Sequence, residues 1–157
     1  MAFSGNFLST QFKIDLMKGT HNFTTGQHAF KLAMFTNSAE PTQGSFGGSG
    51  STMNGSITTY SNNNQVTGTN YTEGGNALTN ITPTAPGGGT TATASFQPLT
   101  FSTVTITGAR GAIIYNTNSS NKAVAILDFG ADKAASAGDF QIVFPTNNAS
   151  NAIIRIA

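Results

Sequence analysis

The chain has 157 residues, a formal net charge of +1 and only 8% charged side chains, against about 25% in an ordinary soluble domain. Its 38% hydrophobic and 10% aromatic residues exclude a wholly disordered chain, and its lack of cysteine excludes a disulfide framework and thiol chemistry. The seven basic residues are spread out and form no nucleic-acid patch. No apolar run resembles a signal peptide or a transmembrane span.

An apolar stripe at the N-terminus predicts one helix. The stripe consists of Phe3, Phe7, Leu8, Phe12 and Leu16, spaced about one helical turn apart. We predict the helix over residues 6–18, within an N-terminal arm of residues 1–27. Ser4 or Ser9 would cap its start and Gly19 its end. The helix either packs on its own core or docks on a neighbouring subunit. For the second case the subunit-interface candidates are Phe3, Phe7, Phe12 and Leu16.

Strand patterns dominate residues 28–157, which we predict to form a β-sandwich domain. The predicted strands are 28–36, 57–60, 66–71, one or two over 96–107, 112–117, 123–129, 132–135, 140–144 and 152–157. Residues 118–121 read as the turn of a hairpin. Stretches rich in Gly, Ser and Thr at 37–56 and 79–92 are predicted to be long loops. The predicted fold class is therefore mainly β: an antiparallel sandwich or barrel with one short N-terminal helix.

Side chains that could carry chemistry are few and scattered. His21 and His28 lie on either side of a Gly-containing turn, a spacing not typical of a metal site on a helix. Each is expected to be a surface or partly buried hydrogen-bonding residue. Three aspartates are too few and too spread for a calcium loop. Surface ion pairs are expected instead, between Asp128, Asp132 or Asp139 and Lys122 or Lys133. We therefore predict no enzyme and no catalytic, cofactor-binding or metal-binding residue.

Three blocks of sequence carry a resemblance to a known group of proteins. The first block is 7–23 with 30–36, the second is 66–75, and the third comprises 110–116, 121–130, 138–140 and 151–156. In order and spacing they resemble small virion structural proteins of tailed phages, many from marine and cyanobacterial hosts. The resemblance extends over about two-thirds of the chain. It implies a particle component without a known active site.

Within this group, a capsid cement or decoration protein that stabilises the shell is the favoured role, at the capsid surface. Its expected partners are copies of itself, with a trimer favoured, and other virion proteins, above all the major capsid protein. Direct contact with nucleic acid or membrane is not expected. A tail, baseplate or head–tail connector component remains an alternative. A carbohydrate-binding fibre module is a weaker one, because it would rest on Tyr60, Tyr71 and Tyr115 in a chain without tryptophan.

Overall fold

Alternating apolar residues form strands that stack as two antiparallel sheets, with one α-helix beside them. The computed structural model describes residues 3, 5–38, 41–42, 45–46 and 57–157, with 41–42 and 45–46 described by their backbone alone. Strands contain 50% of the residues and helices contain 10%. This confirms the predicted mainly β class with one short N-terminal helix, and the architecture is the sandwich.

A long hairpin forms the centre of the larger sheet. In chain order the elements are β1 (Phe7–Leu8), α1 (Thr10–Met17), β2 (Phe30–Phe35), β3 (Pro41–Thr42), β4 (Ser45–Phe46), β5 (Gly68–Thr69), β6 (Asn76–Leu78), β7 (Asn80–Thr84), β8 (Ala92–Phe96), β9 (Leu99–Asn116), β10 (Lys122–Ile142) and β11 (Ile154–Ile156). The hairpin strands β9 and β10 lie between β2 and β1, in the order β1-β10-β9-β2-β6, and β5 pairs with the far part of β9.

The second sheet has the order β11-β8-β7 and closes the main core. Aromatic rings fill the space between the sheets: Phe23 stacks on Phe30 with ring centroids 4.5 Å apart, and Phe96 lies 5.6 Å from Phe30. The opposite face of the larger sheet carries a smaller core around Phe35 and Ile113. Because both faces are covered there, residues 112–116 and 123–126 are all buried.

The hairpin bends sharply between its two halves. Asp128 pairs with Gly111 and Lys133 with Ala109, so β10 has more residues than β9 across this bend. Gly130 takes the positive φ that the bulge requires. The register shifts again between residues 133 and 140. Beyond the bend, in the described part of the chain, no strand pairs with the outer side of β10.

Helix α1 begins after Ser9, one of the two predicted N-cap residues, and ends before the predicted Gly19. The Ser9 hydroxyl accepts the Phe12 N–H at 3.2 Å. At the other end Gly19 has φ +68°, its N–H bonds the Leu16 carbonyl, and the Thr20 N–H bonds the Asp15 carbonyl. These two bonds form a Schellman motif. The predicted start at residue 6 was wrong, because residues 7–8 pair as β1 with β10 before the cap.

Several predicted boundaries need correction. The loop predicted at 79–92 contains strand β7, whose proline is tolerated because β7 lies at a sheet edge. Residues 57–60 form a single bridge rather than a strand. The strands predicted within 99–116 and 122–142 are continuous, because bulges carry the pairing through their glycines. Most of the loop predicted at 37–56 lies outside the described residues.

Substituting Ser9 with alanine should lower the free energy of unfolding by about 1–2 kcal/mol. Ser9 is fully buried, and its hydroxyl also donates to the Ile57 carbonyl at 2.6 Å. Its loss therefore leaves both a helix donor and a loop acceptor without a partner. Thr10→Ala is the matched control, since Thr10 is exposed at the start of the same helix. Equal urea midpoints for the two variants would contradict the prediction.

Candidate functional site

The four predicted interface residues do not form one surface. Phe3 and Phe12 are fully buried in their own chain, whereas Phe7 and Leu16 are half-buried. Phe12 belongs to the main core, with its ring 5.1 Å from that of His21. The aromatic content of the arm is therefore largely used inside the subunit. Phe7 and Leu16 are the two candidates that retain exposed area.

One carboxylate fastens the N-terminal segment to the bend of the hairpin. Asp128 accepts the Gly5 N–H at 3.0 Å, the Gly130 N–H at 2.8 Å and the Arg110 Nε–H at 3.2 Å. Burial tends to raise the pKa of Asp128, but these hydrogen bonds outweigh it and hold the pKa below its ordinary value. Asp128 therefore has a structural task in place of the predicted pair with a surface lysine.

Phe3 reaches its buried position because Gly111 has no side chain. A Cβ on Gly111 would lie 2.4 Å from the Phe3 ring and 2.4 Å from the Leu127 carbonyl oxygen. The Phe3 ring and the β10 backbone thus both pack directly on β9.

A buried polar cluster joins α1 to the turn end of the hairpin. The Lys122 ammonium donates to Asp15 Oδ1 at 2.9 Å and lies 2.9 Å from Oδ2, and the Gln11 amide donates to Oδ1 at 2.9 Å. Asn116 Nδ2 lies 2.9 Å from His21 Nδ1 and 3.0 Å from the Nδ1 of His28. Lys122 was expected at a surface ion pair, but its partner is the buried Asp15.

The orientation of Asn116 fixes the tautomer of His21. Its Oδ1 accepts the Asn118 N–H at 3.0 Å, so its Nδ2 must donate to the imidazole. The remaining proton of neutral His21 then lies on Nε2, which is 3.9 Å from Asp15 Oδ2. Burial lowers the pKa of His21 to about 4. The His21 ring is enclosed by aromatic side chains, so His21 orders the fold and is not an accessible base.

The tyrosines brace a surface loop against the sheet. Tyr115 stacks on Tyr60 with ring centroids 4.3 Å apart, and its hydroxyl donates to the Gly74 carbonyl at 2.7 Å. The Tyr71 hydroxyl accepts the Met34 N–H at 2.8 Å. Burial raises the pKa of Tyr115 to about 12. Because Tyr71 and Tyr115 are buried, the three tyrosines do not form the exposed platform that stacking on a sugar would require.

A two-part apolar groove runs beside the unpaired side of β10. We call residues 129–141 of β10 the open edge, and the two adjoining cavities the edge groove. The cavities have volumes of 460 Å³ and 410 Å³ and share Phe129, Ile142 and Val143. Phe129 and Phe140 are half-buried, with ring centroids 6.2 Å apart, and Val143 is 68% exposed. The edge groove is lined on both sides by apolar side chains of β10 and of the segment that follows it.

No protein-family model, curated protein or solved structure matches this chain. The candidate site is therefore defined by its own geometry.

Within residues 3, 5–38 and 57–157, no three potential metal-ligating side chains come together. No helix in the same residues is long and apolar enough to cross a membrane.

The edge groove was not predicted from the sequence. Its lining comes from residues 6–8, 125–129, 133–134, 140–145 and 151–153, several of which are distant in the chain. One signal was present: the predicted strand at 132–135 was short and charged, as edge strands often are.

Proposed function

We propose that the protein is a non-enzymatic structural component of a tailed-phage particle, and within that class a capsid cement or decoration protein. Its partners would be copies of itself and the major capsid protein. The observation that best supports an assembly role is the open edge with its apolar groove. An unpaired strand edge can add a strand from a neighbouring chain, and an exposed apolar patch beside it is typical of a protein contact surface.

The internal polar groups support the same proposal. Asp15, Asn116, Asp128 and Tyr115 are all engaged in joining elements of their own chain. Such networks rigidify a fold and specify one packing. A small domain that must keep its shape in a shell benefits from that rigidity. The role requires no cofactor, metal, nucleic acid or membrane, and we propose none.

The low surface charge also suits a protein surrounded by others. No charged residue occurs between Glu73 and Arg110, a stretch that includes β7, β8 and most of β9. Weakly charged surfaces repel their own copies little. Many weak contacts per particle then suffice for retention, because a subunit held at one contact rebinds readily at the next.

The sequence blocks that resemble tailed-phage virion proteins coincide with the elements that build the sandwich. The first block provides α1 and β2, and the third provides the buried halves of β9 and β10. The resemblance therefore concerns the structural frame. It supports membership of the particle, and the copy number per particle is what would separate a capsid role from a tail role.

Copy number in purified particles tests the proposal and separates its alternatives. We expect quantitative mass spectrometry against the major capsid protein to find hundreds of copies per particle. A tail, baseplate or connector component would be present at on the order of a dozen copies, as a ring on the tail axis requires. Absence from washed particles would refute the structural role.

A further inference from the structure

The open edge combines two properties that ordinarily oppose each other. No described strand pairs with its outer side, which invites another strand. The N–H groups of Gly130 and Ala137 are already bonded to the side chains of Asp128 and Thr105. The open edge also carries exposed charges and register shifts, which deter pairing with arbitrary strands. A partner must therefore match the order of these charges.

The charges of the open edge match those of a second copy in antiparallel orientation. The exposed charged residues are Asp132, Lys133 and Asp139. When two copies are related by a two-fold axis at Ser136, Lys133 of each copy lies opposite Asp139 of the other. Two opposite-charge pairs then form at once, and cross-strand pairs of this kind are favourable. Among the described residues Lys133 has no ion pair within its own chain.

Competing registers are less favourable. An axis at Asp132 or at Lys133 places like charges directly opposite each other. An axis between these two residues pairs them correctly, but it brings Asp139 opposite Ile126, whose outer side is already paired with Phe7 of β1. The axis at Ser136 keeps residues 131–141 of both copies within the open edge and forms both opposite-charge pairs, whereas an axis at Ala135 also stays within the open edge but pairs no charges.

The same axis gives the exposed Val143 a place to bind. Counting outward from Ser136, Val143 of one copy lies opposite Phe129 of the other. Phe129 lines both cavities of the edge groove. A side chain that is 68% exposed in the single subunit is thereby buried against apolar surface. Charge order and groove position thus indicate the same register.

We infer that a second copy of this chain docks along the open edge, antiparallel about Ser136, with Val143 in the partner's edge groove. The inference rests on the proposed structural role in so far as that role requires self-association. It specifies a two-fold contact and therefore a dimer as the basic unit, in place of the trimer expected from the sequence.

Charge-reversal variants test the register. Lys133→Asp places two acidic residues opposite each other at both pairs, and Asp139→Lys places two lysines there. We expect each variant alone to dimerise about tenfold more weakly than the wild type. An equimolar mixture should recover wild-type affinity, because opposite charges then meet at both pairs. Analytical ultracentrifugation measures this. A mixture no tighter than its components, with both variants folded by circular dichroism, would overturn the inference.

Asp139 also accepts the Thr103 N–H within its own chain, so Asp139→Lys removes that hydrogen bond as well. A cysteine at the axis gives an independent test that leaves Asp139 unchanged. The chain has no cysteine of its own. Ser136→Cys should therefore form a disulfide-linked dimer under mild oxidation, since the two copies of residue 136 face each other. Thr24→Cys, in an exposed turn, is the control and should remain largely monomeric on a non-reducing gel.

Equal cross-linking of the two cysteine variants, or a trimer by mass, would overturn the two-fold contact. These experiments use the isolated protein, whereas copy number uses particles. A failed interface and a failed virion role are therefore distinguishable.

Discussion

Replacing Lys122 with methionine should lower the free energy of unfolding by about 3 kcal/mol at pH 7, because it leaves a buried carboxylate without its cation. Asp15 is 1% exposed, and the Lys122 ammonium lies 2.9 Å from its Oδ2. Burial tends to raise the pKa of Asp15, but the hydrogen bonds from Lys122 and Gln11 outweigh it, so the carboxyl is ionised at neutral pH. Methionine retains the aliphatic part of the side chain, so the change tests charge rather than packing.

Two further variants make this result specific. Lys13→Met removes a lysine from the exposed side of α1 and should change stability by no more than about 0.5 kcal/mol. Adding Asp15→Asn to Lys122→Met should recover part of the loss, because an amide is cheaper to bury than a lone carboxylate. Urea unfolding at pH 7 measures all of them. A Lys122→Met protein as stable as Lys13→Met would show that the buried pair contributes nothing.

The second large effect is a loss of stability by about 3 kcal/mol on acidification from pH 6.5 to pH 4. Burial lowers the pKa of folded His21 from 6.5 to about 4. Between these two pH values the unfolded chain binds a proton at His21 that the folded chain does not. The free energy of unfolding therefore decreases as the pH is lowered, and it levels off below about pH 4. Asp15 and Asp128, whose pKa values are lowered, add a further loss as the pH falls through their titration range.

Substitution of the imidazole isolates its share of this pH dependence. His21→Phe retains an aromatic ring among Phe12, Phe23 and Phe30 but removes the titrating group. The variant should show a clearly shallower fall in stability between pH 6.5 and pH 4. In the wild type, the ring protons of His21 should titrate near pH 4 by NMR. Identical slopes for the two proteins would contradict the assignment.

Local patterns were sufficient to predict the elements whose partners lie nearby. The C-terminal cap Gly19, strand β2 and the hairpin turn at 118–121 all follow from neighbouring residues, whereas the N-cap was left open between Ser4 and Ser9. The continuity of β9 and β10 does not, because Gly108, Gly111 and Gly130 interrupt the alternation on which a strand prediction depends. Backbone pairing crosses those glycines through bulges, which leave no regular sequence pattern.

The candidate site was harder to predict for a related reason. Aromatic content showed that Phe3 and Phe12 would be covered, but not whether their own chain or a neighbour would cover them. Phe3 is covered by its own chain because Gly111, more than one hundred positions away in sequence, leaves space for its ring. The edge groove likewise depends on distant segments meeting, and half-buried side chains such as Phe129 have no distinct pattern.

The pairing of β1 with β10 has a consequence for synthesis on the ribosome. Residues 7–8 pair with 125–126, and the buried carboxylate of α1 meets its lysine only at position 122. The N-terminal segments therefore cannot complete their packing until β10 has been synthesised. Until then Phe12 and Phe30 stay exposed to solvent. Folding is then a late event that follows completion of the hairpin, and chains cut short before β10 should be prone to aggregation and proteolysis.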